Sequence, residues 1–123
     1  MKLLPEGRRL ILAKIHVVIE ALEDLKLQDI LIYDMRERSP FFEYFILSTA
    51  TNVRQLQAAV KHLKDHLSAA SLEQPVIEGA QSNAWVLMDA KDIVVNIFTK
   101  EERLYYNIEK MWMDVPTIDP KDA

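Results

Sequence analysis

No cysteine occurs among the 123 residues, and there are only two glycines, Gly7 and Gly79. Without cysteine there are no disulfides, thiolate nucleophiles, iron–sulfur clusters or Cys-based zinc sites. That composition fits a reducing compartment, and a cytoplasmic location is expected. Glycines so far apart exclude a P-loop and a dinucleotide-binding turn, which gather several glycines to bring backbone amides onto phosphate. Long hydrophobic runs are missing too. The apolar stretches Leu10–Ala13, Ile30–Tyr33, Tyr44–Leu47 and Trp85–Met88 are far shorter than the roughly 20 residues of a membrane span. Glu6, Arg8, Arg9 and Lys14 interrupt the N-terminal stretch, so no secretory signal is expected. Neither a membrane nor a cofactor is an expected partner.

Basic charge is also in short supply, with 15 Lys+Arg against 19 Asp+Glu and a net charge of −4. A protein that binds nucleic acid by neutralising phosphates usually shows a basic face, so no direct dependence on nucleic acid is expected. The halves differ. Residues 1–61 hold 9 Lys+Arg and 8 Asp+Glu, a balance of +1, whereas residues 62–123 hold 6 and 11, a balance of −5. An acidic second half suits a basic partner, and equally suits a solvated surface that maintains solubility.

What is present is a regular alternation of helical and extended patterns. From Glu6 to Lys26, Ile11, Ile15, Val18, Leu22 and Leu25 recur in steps of four and three, the stripe of an amphipathic helix. Asp29–Asp34 reads as a short buried strand, and Phe41–Thr49 as a second one after a polar connection ending at Pro40. Asn52 with Gln55 forms a capping box. It opens a helix whose Val53, Leu56, Val60, Leu63 and Leu67 share a face, and Pro75 prevents its continuation. Strands are predicted at Gln74–Glu78, Ala84–Asp89 and Ile93–Thr99. A capping box from Thr99 and Glu102 then opens a helix with Leu104, Ile108, Met111 and Trp112 on one side. Pro116 and Pro120 mark 117–123 as an extended or frayed tail. The order α-β-β-α-β-β-β-α predicts one α/β domain over 1–116, with a mixed sheet of about five strands and flanking helices.

A catalytic site is hard to find in this pattern. His62 and His66 stand four apart on the second helix, but Leu63 occupies the position where a metalloprotease carries its glutamate. The nearest further acid, Asp65, points to another side of the helix, so a solvent-facing polar edge and no metal are expected. Ser48, Ser68, Ser71 and Ser82 lack a glycine elbow, which disfavours acyl transfer. Asp34, Asp89 and Asp92 end strands and could hold Mg²⁺ in a nucleotidyltransferase-like enzyme. Such enzymes carry a Gly-Ser turn and two aspartates one residue apart on a strand, and neither is here. Asp also terminates strands and forms turns routinely. The expectation is a protein with no catalytic residues, with the Mg²⁺-dependent enzyme as the alternative.

The hairpin is more informative. Alternation sets Trp85, Leu87 and Asp89 on one face of their strand and Val86 and Met88 on the other. In the following strand Ile93, Val95 and Ile97 make an aliphatic face that must be core. Asp92, Val94, Asn96 and Phe98 lie opposite. The face carrying Trp85, Asp89, Asp92, Asn96 and Phe98 mixes aromatic and acidic groups, the makeup of an interaction surface. It fits equally well under a covering helix.

In order along the chain come Tyr44–Gln55, Glu78-Gly79, Trp85–Asp89, Asp92–Phe98 and Arg103–Trp112. This ordered set, spanning roughly Leu10 to Pro116, resembles the ribosomal silencing factor family RsfS, also called Iojap-related. The resemblance implies a nucleotidyltransferase-like fold without its catalytic residues. It implies binding to the fourteenth protein of the large ribosomal subunit at the intersubunit face. Joining of the subunits is thereby blocked and translation repressed under nutrient limitation. It also implies a homodimer when free, with Trp85 as the partner-facing aromatic and Asp89 and Asp92 as acidic contacts. Leu87, Asn96 and Phe98 complete the expected partner-binding set. Four positions depart from the family's pattern: Ala50 for Gly, Asn52 for Ser, Lys91 for the hairpin Gly and Asn96 for a frequent His. Lys91 implies either a strained positive φ or another turn type.

Overall fold

The computed structural model describes residues 5–123; residues 1–4 of the expected domain lie outside the described residues. Helix α1 (Glu6–Asp24) buries Ile15, Val18, Ile19, Ala21 and Leu22, the stripe its spacing dictates. Lys26 turns the chain with a φ of 59° and delivers it into β1 (Gln28–Asp34). Asp29, at φ 50°, sits where the register of β1 against its neighbour shifts, a bulge that the positive φ permits.

Strand β2 (Tyr44–Ala50) is buried along its whole length. It begins later than the apolar pattern predicts, and Phe41 is 86% exposed. The start is fixed by the parallel partner β5 (Ile93–Thr99): Tyr44 pairs with Ile93, and the Glu43 and Tyr44 amides both donate to the Asp92 carbonyl. Ahead of Glu43 the chain turns away, the Phe41 amide donating to Ser39 Oγ. Between β2 and β5 come helix α2 (Val53–Ala69), the short β3 (Val76–Glu78) and β4 (Trp85–Asp89). At the start of α2 the Gln55 amide donates to Asn52 Oδ1 at 2.8 Å. The Gln55 side chain accepts from the Thr51 amide and donates to the Leu25 carbonyl, tying α2 to the end of α1.

The chain ends differently from expectation. Thr99 makes no side-chain cap; it is the last residue of β5, its amide donating to Ala84 O at 2.8 Å. Helix α3 (Lys100–Tyr106) stops at Asn107, which adopts φ 44° and ψ 55°, and α4 (Ile108–Met111) starts anew. The predicted continuous face is therefore broken: Ile108 and Trp112 pack inward, while Leu104 and Met111 are exposed. Thr117–Ile118 is not a frayed tail but a sixth strand, β6, antiparallel to β1, followed by a 3₁₀ turn at Pro120–Asp122. Two residues carry too little pattern to read as a strand; the free edge of β1 supplies the pairing partner. The mixed sheet has the order β3-β4-β5-β2-β1-β6, with β2 and β5 at the centre.

This arrangement makes two layers of side chains. Helices α1 and α2 cover one face of the sheet around Leu22, Ile32, Ile46, Leu56, Met88 and Ile97. The opposite face carries a smaller cluster of Tyr33, Phe45, Leu47, Phe98 and Val115, against which Trp85, Ile108 and Trp112 pack.

Candidate functional site

Trp85 belongs to this second face, and three devices hold it. Gly79, at φ 76°, opens the turn before β4; a Cβ there would stand 2.7 Å from the Trp85 carbonyl oxygen. Ser82 Oγ then accepts from the Ala84 and Trp85 amides at 3.0 and 3.1 Å. Finally the indole Nε1–H donates to Asn96 Oδ1 at 2.8 Å. The ring lies over Phe98, with centroids 5.0 Å apart and planes 23° apart. Tyr106 approaches the indole to 5.2 Å and the Phe98 ring to 6.0 Å, closing a three-ring cluster, and Tyr105 stands perpendicular to Tyr106. Trp85 is half-buried, whereas Tyr105 is 79% and Tyr106 48% exposed. Aromatic groups arranged this way present a large apolar area that loses little conformational freedom on binding.

The other expected site residues divide into three groups. Leu87 shares the Trp85 face and is half-buried. Asn96 and Phe98 are fully buried, so they support the indole from beneath and do not themselves reach the surface. Asp89 is exposed but ends β4 opposite Trp85, about 13 Å away along the strand. Asp92 is half-buried in the turn beyond Asp89, at the same far end of the hairpin from Trp85. The acidic pair therefore does not rim the indole. An acid beside this face comes from β3 instead: Glu78 pairs with Leu87 across the ladder and so stands on the same side. Glu78, Tyr105 and Tyr106 are absent from the sequence-derived set. Two adjacent tyrosines were a usable signal, since neighbours on a helix cannot both face the core.

Lys91 resolves the turn question: it takes φ 70°, with its amide donating to Asp89 Oδ1 at 2.9 Å. Asp34, Asp89 and Asp92 lie at one end of the sheet: Asp34 ends β1, Asp89 ends β4 about three strand spacings, roughly 14 Å, away, and Asp92 sits in the turn between β4 and β5. Asp34 is gripped by Arg36 through Nε at 2.9 Å and Nη2 at 2.7 Å. That guanidinium holds its carboxyl below the ordinary carboxylate value. Asp34 therefore cannot share an ion with Asp89, and the enzyme alternative gains no support. A cleft of about 590 Å³ is lined by Asp34, Arg36, Glu37, Arg38 and Asp114, with Asp34 paired to Arg36 and Asp114 to Arg38.

Arg103 is a buried cation that sequence reasoning passed over. It bonds Glu109 Oε1 and Thr49 Oγ1, each at 2.8 Å, and the Asp29 carbonyl. It thereby spans the break at Asn107 and fixes α3 and α4 against β1 and β2, which sets where Tyr105 and Tyr106 stand.

Relatives carry this architecture. A ribosomal silencing factor RsfS from Bacillus subtilis is 35% identical over 105 residues, covering 85% of this chain and 89% of that protein. A more distant relative from Mus musculus is named mitochondrial assembly of ribosomal large subunit protein 1. It is 27% identical over 101 residues, 80% of this chain and 44% of that one. A crystal structure from Chromobacterium violaceum, 35% identical, superposes with a TM-score of 0.78 over 83% of this chain and 85% of that one. The sequence model described as "Ribosomal silencing factor during starvation" matches residues 10–123. The chain belongs to the RsfS family of ribosomal silencing factors.

Proposed function

We propose that this protein silences ribosomes by steric exclusion, using the Trp85 face to dock on the fourteenth protein of the large subunit. Occupying the intersubunit surface would keep the small subunit from joining and so repress translation when nutrients are limiting. The reading treats the fold as a nucleotidyltransferase-like scaffold stripped of its catalytic pair and acting in the cytoplasm. One observation carries it: a half-exposed indole, pinned by Asn96 and seated on Phe98, next to the exposed rings of Tyr105 and Tyr106. Pre-ordered aromatic anchors are the groups that dominate binding energy at protein interfaces. Glu78 beside them, and the acidic balance of the second half, suit a basic partner. The relatives' names support association with the ribosome and, for the mouse protein, with the large subunit.

The test is co-sedimentation with purified large subunits. Trp85→Ala should weaken binding by about 2 kcal/mol or more, while circular dichroism shows an intact fold. Full binding by the folded variant would refute the Trp85 face. A homodimer of the free protein is part of the same proposal, supported by the exposed Leu104, Tyr105, Met111 and Met113. Sedimentation across a dilution series, with and without large subunits, separates the dimer from the ribosome-bound form.

A further inference from the structure

Away from the Trp85 face, on the helical layer, the histidines of α2 meet a group that the sequence did not pair with them. Asp24, the last residue of α1, directs Oδ2 to within 3.4 Å of His62 Nε2 and 3.1 Å of His66 Nε2. All three donor atoms lie within 4.8 Å of one another, and this is the metal-competent His/Asp/Glu group found among the described residues. The two histidines are therefore not a free solvent edge. Their side chains are 32% and 25% exposed, and the rings stand 4.3 Å apart.

We propose that Asp24, His62 and His66 form a three-ligand site for a divalent transition-metal ion of the Zn²⁺ type, with the fourth position open to water. The spacing fits. Zn²⁺ with bonds of about 2.0–2.1 Å in a tetrahedron separates its ligand atoms by about 3.3 Å, close to the two distances from Asp24. The tautomer fits as well. His66 Nδ1 lies 3.0 Å from the His62 carbonyl oxygen, which only accepts, so Nδ1 carries a proton and in the neutral ring Nε2 offers a lone pair. A backbone carbonyl on the far nitrogen is the usual way a metal-binding imidazole is oriented.

Electrostatics favours a cation there. In the neutral ring, Nε2 and the Asp24 oxygen are two acceptors facing each other. The carboxylate also sits at the negative end of α1, whose last turn holds no basic residue. Glu20 and Asp65 line the same groove, their charges turned toward His16 and Lys61. Imidazole with one carboxylate suits Zn²⁺, Ni²⁺ or Cu²⁺ and not Mg²⁺ or Ca²⁺, which favour all-oxygen shells. A bound ion would link the end of α1 to the C-terminal half of α2 and leave the Trp85 face untouched, so this inference does not depend on the proposed ribosomal function.

The experiment titrates the full chain with Zn²⁺ near pH 7.5 in a non-chelating buffer, by calorimetry and by thermal unfolding, with Co²⁺ as a spectroscopic substitute. One equivalent should bind, raise the Tm and give the visible band of tetrahedral Co²⁺. His62→Ala and His66→Ala should each lower affinity by about 100-fold or more, above the usual cost of losing an outer partner. Asp24→Asn should weaken binding in the same direction, and His16→Ala should leave it unchanged. His66→Gln serves if the alanine variant is poorly folded. No saturable binding up to about 1 mM Zn²⁺ would overturn the proposal, as would equal binding by the His62→Ala/His66→Ala protein or loss of binding in His16→Ala.

Discussion

On the α1/α2 side of the sheet, Ile15, Leu22, Ile46, Leu56 and Ile97 close an aliphatic core from which water is excluded. On the other side, two short helices cover only part of the sheet. Aromatic rings, a buried arginine and a buried asparagine do there what aliphatic packing does on the first side. The first face is held by area removed from water, which is forgiving of detail and tolerates volume-conserving exchange. The second is held by directed contacts, each of which fails if one partner is lost. Directed contacts cost more to get right, but they leave an ordered surface that is not consumed by the core. The proposed docking of this face on the large subunit calls for such a surface.

The comparison can be broken by substitution. Leu22, with no exposed area, should give the largest effect: Leu22→Ala should cost about 3 kcal/mol of stability in urea unfolding without changing which face binds large subunits. Arg103→Met should come next, because the Thr49 hydroxyl and the Asp29 carbonyl lose their donor, at about 2 kcal/mol, while the part-exposed Glu109 left without its partner is solvated. Unlike Leu22→Ala it should also speed amide exchange in α3 and α4, where the exposed tyrosines stand. If both variants leave that exchange alike, the two faces are not held differently. Lys91→Gly should raise the Tm by a few degrees by relieving the positive φ, despite losing the surface pair with Glu73 at 2.9 Å.

The smallest effect concerns acid. The Arg36 hydrogen bonds lower the folded-state value of Asp34 below its ordinary 3.8. The stability this gives is therefore present above that pH and is lost as pH falls through the lowered value. Asp34→Asn should reduce stability slightly at neutral pH, and the difference from the parent should shrink in acid unfolding as pH falls below the ordinary carboxylate value.

Long periodic elements were legible. The stripes of α1 and α2, the capping Asn52 and the aliphatic side of β5 follow from residue spacing, because burial on one face imposes a period. The extra strand β6 was not legible, since two residues cannot express a period and their pairing is decided by the free edge of β1. The stop at Asn107 was missed because spacing assumes a continuous helix; Leu104 and Met111 fit a stripe that a left-handed residue interrupts. For the site, Trp85 and its face could be read from alternation. That Asn96 and Phe98 lie under the indole depends on depth, which alternation does not encode, whereas the distance of Asp89 from Trp85 was already set by their four-residue spacing. Asp24 reaches His62 and His66 only through the packing of two helices, across 38 and 42 positions of sequence.

The two outermost strands of the sheet are its shortest, three residues in β3 and two in β6, and a proline stands just before each, at Pro75 and Pro116. Such edges expose few backbone donors and acceptors, so a foreign strand finds little ladder to extend. This protects the chain from edge-to-edge aggregation in a crowded cell. It also means that recognition falls to side chains on the faces of the fold, where single substitutions can retune the choice of partner without disturbing the sheet.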